Sequence, residues 1–159
     1  MRRVILFLLL ICLGSIYGFA EEPNRKTGIG LGYPYLSVKH DVSEKISCEG
    51  RIAYLPETIA GGGRLYYIFP NFEPIKNMES FIGSEISLNY FNKSGVKGYG
   101  ISGLIFIGAE YYFNRKISFC LDMGPIYNIL CEIGNPSNNV SGLKLALNVG
   151  FYYYFKGGK

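Results

Sequence analysis

His40, the only histidine in the 159 residues, stands beside Asp41 and three places before Ser43. An imidazole with a carboxylate or hydroxyl partner is the usual equipment of general-base chemistry. Neighbours on one turn seldom hold the geometry of a catalytic pair, however, so the expected catalytic set is none. Four cysteines, at positions 12, 48, 120 and 131, show no CxxC spacing, which signals neither a zinc site nor a disulfide framework. Gly28-Ile29-Gly30-Leu31-Gly32 invites a phosphate-binding reading, but its third glycine comes one place too early for a dinucleotide fingerprint and Tyr33-Pro34 follows where a helix would begin. No cofactor and no metal is indicated. The charges that do recur in a pattern are Glu49, Arg51, Arg64, Glu85, Glu110, Asp122 and Lys144, one or two near the middle of each of several apolar runs. Four acids and three bases distributed in that way suit an ionic network inside a narrow, water-poor space.

The elements that must position these charges are strands. Period-2 runs rich in Gly, Tyr and β-branched residues cover roughly 28–39, 45–55, 60–69, 79–91, 99–113, 117–130 and 142–155. Asp41 to Glu44, Pro56 to Thr58, Pro70 to Asn77, Asn92 to Gly98, Asn114 to Lys116 and Glu132 to Ser141 separate them with turn chemistry. No helical period appears, and each connection is short enough for an antiparallel hairpin. An all-β, single antiparallel up-and-down barrel is the expected fold.

Each run keeps one wholly apolar face. In the last run Leu143, Leu145, Leu147, Val149, Phe151, Tyr153 and Phe155 alternate with Lys144, Ala146, Asn148 and Gly150. The runs are longer than the usual five or six residues of soluble strands and match the about 9–11 tilted residues that cross a bilayer. Aromatics cap the apolar face at strand ends, at Tyr99, Tyr111, Phe113, Tyr153 and Phe155, where an interfacial girdle belongs. The charged face is therefore expected to line a lumen, and the apolar face to meet lipid. Leu104, Phe106, Ile126, Tyr152 and Tyr154 share the charged phase and should plug that lumen.

The chain opens with MRRVILFLLLICLGSIYGFA, a basic start, an apolar run too short to span a bilayer, and small residues before Glu21. That is the layout of a secretory signal peptide over 1–20, followed by a polar lead over 21–27, the barrel over 28–155 and a basic tail over 156–159. Loss of Arg2 and Arg3 from 16 basic residues leaves 14 against 12 acidic, a net charge of +2. So small an excess indicates no nucleic-acid partner.

Asn148, Gly150, Tyr153 and Phe155 give the closing strand a polar residue, a glycine two later, and aromatics five and seven later. This spacing resembles the C-terminal β-signal of small bacterial outer-membrane β-barrels, with Lys156 to Lys159 following where such chains usually stop. The resemblance implies a Gram-negative cell outer membrane after export, outer-membrane lipid and the barrel assembly machinery as partners, and a non-catalytic structural or surface-interaction role. Some barrels of this kind modify lipid with a His and a Ser or Asp, which makes His40 with Asp41 or Ser43 the enzyme alternative. A soluble secreted or periplasmic barrel of lipocalin type, holding an apolar ligand, is the other. Bacterial barrels have an even strand number, so eight strands are expected although seven runs are read. The missing strand is sought in 132–141 or before Gly28, failing which the barrel closes through a parallel pair.

Overall fold

The computed structural model describes residues 27–69, 77–93, 95–134 and 140–155. The expected leader over 1–20 and the basic tail over 156–159 lie outside them, as does the polar lead except Thr27, which begins the first strand. Eight strands follow in order: β1 Thr27–Tyr33, β2 Tyr35–Asp41, β3 Ile46–Leu55, β4 Thr58–Ile68, β5 Met78–Lys93, β6 Val96–Tyr112, β7 Ile117–Glu132 and β8 Val140–Tyr154. Every neighbouring pair is antiparallel, and β8 pairs with β1 to close a barrel.

The eighth strand lies inside the run 28–39, not in either place proposed for it. Gly32 faces Tyr35 across a hairpin that turns at Tyr33-Pro34, beyond the paired Leu31 and Leu36. Proline cannot continue a ladder in a central strand, and the exposed apolar phase shifts across it, from Ile29, Leu31 and Tyr33 to Leu36 and Val38. With eight strands both described ends of the chain lie at one end of the barrel, the base, together with the strand ends at Asp41 and Ile46, Ile68 and Met78, and Tyr112 and Ile117. The strand ends at Tyr33 and Tyr35, Leu55 and Thr58, Lys93 and Val96, and Glu132 and Val140 lie at the other end, the mouth.

The wall is sheared. Pairing carries Gly28 through Lys39, Glu49, Arg64, Glu85, Leu104 and Ile126 to Lys144, yet Gly28 itself pairs with Tyr154. One circuit therefore shifts the register by 10 residues, the separation of Lys144 from Tyr154. Such stagger tilts the strands and gives an eight-stranded barrel an interior that side chains can fill. The β6–β7 ladder lapses opposite Gly124-Pro125. A Cβ on Gly124 would sit 1.8 Å from the Ile105 carbonyl oxygen, so the backbones approach there as only glycine allows.

Burial is inverted relative to a protein with an oily core. Among the described residues eight apolar or aromatic side chains are buried and 36 large ones are exposed, up to 77 % at Tyr54 and 79 % at Tyr33. The buried polar and charged set includes Lys39, Glu49, Arg51, Arg64, Glu110 and Asp122. Among the described strand residues, Lys97 near the mouth is the one Asp, Glu, Lys or Arg in the outward phase. Rings band the outside at the base, where Tyr67 meets Phe69, Tyr111 meets Phe113, Phe119 meets Phe151 and Tyr153 meets Phe155, with centroids 5.2–5.8 Å apart. Tyr54, Tyr90, Tyr99 and Tyr127 are exposed nearer the mouth.

Candidate functional site

The lumen is packed from the base upward. Tyr66, Phe81 and Phe106 meet edge to face with centroids 5.1–6.1 Å apart, and Tyr152 stacks on Tyr154 at 6.2 Å. Within this aromatic layer Lys39 Nζ lies 2.5 Å from Glu110 Oε2 and 4.7 Å above the Tyr66 ring. Glu110 also accepts from Ser118 and from the Tyr154 hydroxyl. A buried ion pair is tolerable when its remaining lone pairs are satisfied in this way.

Above that pair sits the main network. Arg64 donates to Asp122 through both terminal nitrogens, at 2.7 and 3.1 Å, and through Nε to Glu85 at 2.5 Å. Planar guanidinium and carboxylate groups fit each other in this two-point geometry. Asn148 donates to Asp122 Oδ1 at 2.7 Å. Glu49 accepts from the hydroxyls of Tyr66 and Tyr152 and lies 3.1 Å from Arg51 Nε. The Arg51 guanidinium stacks 3.6 Å above the Tyr35 ring, and that of Arg64 lies 4.1 Å from Phe106. Arg51 reaches Asp122 at 3.9 Å and Glu85 at 4.0 Å, which links the carboxylates through the two arginines.

Six of the seven charges expected in the lumen are thus brought together or buried nearby: Glu49, Arg51, Arg64, Glu85, Glu110 and Asp122. Lys144 is the correction. It shares the inward phase, but its register places it ten residues above Tyr154, where its side chain is exposed beside the upper cavity, and no ion pair joins it to the network among the described residues. Lys39 holds the third basic position instead. An uninterrupted 28–39 strand would put Lys39 on the outward face with Ile29 and Leu31; the turn at Pro34 swings it inward.

The residues of the assembly-signal motif divide between the two faces. Asn148 and Gly150 face the lumen, and a Cβ on Gly150 would lie 2.7 Å from the Tyr35 hydroxyl. Tyr153 and Phe155 face outward as a T-shaped pair. His40 bonds Thr27 Oγ1 through Nδ1 at 2.7 Å on the base rim. Asp41 accepts from Ser47, while Ser43 accepts from the amides of Lys45 and Ile46. No hydrogen bond joins His40 to Asp41 or Ser43 among the described residues. Cys120 is buried in the lumen, and Cys48 and Cys131 lie half-buried in the outward phase.

Between the network and the mouth lies a cavity of about 910 Å³. Arg51, Glu85 and Asn148 border its floor, and Leu55, Phe91, Ile126 and Leu130 contribute apolar wall. Asn89 donates to Ser102, and Ser102 to Asn128, in a polar chain across one side at 2.7 and 2.6 Å. Among the described residues no group of His, Cys, Asp and Glu is placed to hold a metal ion.

No protein-family model and no curated protein matches the chain. One solved structure, described as "Unveiling the Mechanism Behind the in-meso Crystallization of Membrane Proteins", aligns with 84 % of this chain and 83 % of its own at 12 % identity, with a TM-score of 0.20. That similarity is too slight to carry an argument about fold or function.

Proposed function

We propose that this eight-stranded barrel is a non-catalytic outer-membrane protein of Gram-negative bacteria, with a structural or surface-interaction role and a lumen filled by its own side chains below the cavity at the mouth. The observation that carries the reading is the distribution of charge: acids and bases meet inside, and the outer belt is apolar on every strand. Soluble monomers rarely leave contiguous apolar patches beyond a few hundred Å² uncovered. In a bilayer the same belt is satisfied, and backbone groups bond within the closed wall. A lipocalin-type carrier needs the opposite arrangement, with an apolar interior and a polar exterior. The leader-like opening and the β-signal spacing support export and insertion by the assembly machinery.

The test is insertion. Urea-unfolded chain lacking residues 1–20, diluted into phospholipid vesicles, should fold to β-structure and resist trypsin over the strands. Folding to the same state in buffer without lipid or detergent would contradict the proposal.

A further inference from the structure

The two halves of the wall differ in height. β1 and β2 contain 7 residues each and β3 contains 10, against 16, 17, 16 and 15 in β5 to β8. At about 3.3 Å per residue and a tilt of about 40°, the first hairpin rises about 18 Å from the base while β6 rises about 43 Å. Seven residues fall short of the about 9–11 that cross a bilayer. β8 pairs with β1 only from Val149 to Tyr154. Its stretch 140–148 is bonded to β7 on one side and to no described strand on the other. Across the gap stands the upper end of β3, where Tyr54 and Leu55 extend beyond the last β2 partner, Tyr35 opposite Ala53. Tyr33-Pro34 forms the sill.

This gap opens through the apolar belt, because Leu143, Leu145 and Leu147 beside it are exposed outward. Alternate backbone groups of 140–148 point into it, and hydrocarbon alone cannot satisfy them. Directly behind lies the 910 Å³ cavity, bordered at the gap by Pro34, Ala53, Leu55 and Lys144. Two polar groups wait there. The Tyr35 hydroxyl, on a side chain 5 % exposed, has no hydrogen-bond partner, and Lys144 has no ion-pair partner among the described residues. One cation outside the ion-pair network, beside a chamber whose wall is apolar at Leu55, Phe91, Ile126 and Leu130, matches a single carboxylate on a hydrocarbon tail, and the chamber's size suits a small-molecule ligand.

We infer that the gap between β8 and β3 is a side doorway through which a long-chain fatty acid passes from the surrounding lipid into the cavity. Its tail lies against Leu55, Phe91, Ile126 and Leu130, and Lys144 receives its carboxylate. The inference rests on the membrane placement proposed above.

The chain contains no tryptophan, so single probes report cleanly. Leu130→Trp places one inside the cavity and Ile105→Trp places one on the outer belt far from the gap, each in vesicles and each verified as folded by its heat-dependent gel mobility. If Leu130→Trp fails to fold, Phe91→Trp replaces it. Dibrominated phospholipid should quench the Ile105→Trp probe, which checks the membrane placement separately; no quenching there would overturn that placement and the doorway with it. Dibromostearate should quench the Leu130→Trp probe saturably. Lys144→Glu should weaken that binding about tenfold or more through loss of its charge partner, and Ala53→Phe at the doorway should weaken it too. A quenched outer probe with an unquenched or non-saturating inner one would overturn the doorway while leaving the barrel in the membrane. So would a cross-linked dimer joined through residues 140–148, which would assign the free edge to strand pairing between two copies.

Discussion

Arg64 on β4 and Asp122 on β7 meet across the barrel interior in a two-point ion pair at 2.7 and 3.1 Å, with both side chains at most 1 % exposed. The bond ties walls that are three strands apart, and it brings Glu85 and Asn148 into the same cluster. A buried pair of this kind adds little net stability over a well-packed apolar substitute, but removal of one member strands the other.

Arg64→Ala leaves Asp122 and Glu85 without their principal partner in a water-poor interior. The expected loss is about 3–5 kcal/mol, read as a lower midpoint of urea unfolding in detergent. Arg64→Lys should restore only part of it, because an ammonium cannot reproduce the fork that grips both Asp122 oxygens. An unchanged midpoint in Arg64→Ala would mean that these charges face bulk water.

Lys39 and Glu110 allow a sharper comparison. Lys39→Met and Glu110→Gln should each destabilise, since each leaves or weakens a buried partner, while the double variant should lose less than the two single losses added together. Coupling between contacting residues of 0.5–3 kcal/mol is the ordinary range. Strict additivity would place the two groups in separate environments.

Lys39 is also the lumen charge that the sequence does not place. Strand type and the inward phase of Glu49, Arg51, Arg64, Glu85, Glu110 and Asp122 follow from alternation alone, because a lumen and a lipid face impose opposite demands on successive residues. Lys39 was lost with the β1–β2 turn: two residues, Tyr33 and Pro34, reverse the chain, and the accompanying phase shift from Leu31 to Leu36 was the available signal. Lys144 had the right phase and the wrong height, since height depends on a ten-residue shear that emerges only when all eight pairings are known. The hydroxyls of Tyr66, Tyr152 and Tyr154 satisfy Glu49 and Glu110, yet Tyr152 and Tyr154 read in sequence only as plugs, and nothing in their spacing distinguishes a donor from a plug.

Assembly should depend on the outward pair of the closing strand. Tyr153→Ala with Phe155→Ala should lower the yield of membrane-integrated protein far more than Arg115→Ala with Lys116→Ala on the exposed turn between β6 and β7. Equal yields in a quantified membrane fraction would remove the assembly-signal reading.

Conductance offers a fourth check. Tyr66, Phe81, Phe106, Tyr152 and Tyr154 fill the lower lumen, and an eight-stranded wall leaves an interior wide enough for side chains or one small ligand, in contrast to the aqueous channel of barrels with about 16 strands. Purified protein in planar bilayers should show no steady porin-like steps. Stable large currents from a verified monomer would contradict the packing of the inward face.

The most direct test is to fractionate expressing Gram-negative cells and run the fractions on a gel with and without boiling. Recovery in the outer membrane, release only by detergent, and a mobility that changes on heating are the predicted results. Recovery of folded protein from the soluble periplasm without detergent would contradict the account, because the apolar belt of Leu31, Ile52, Ile86, Ile105 and Leu145 would then be facing water.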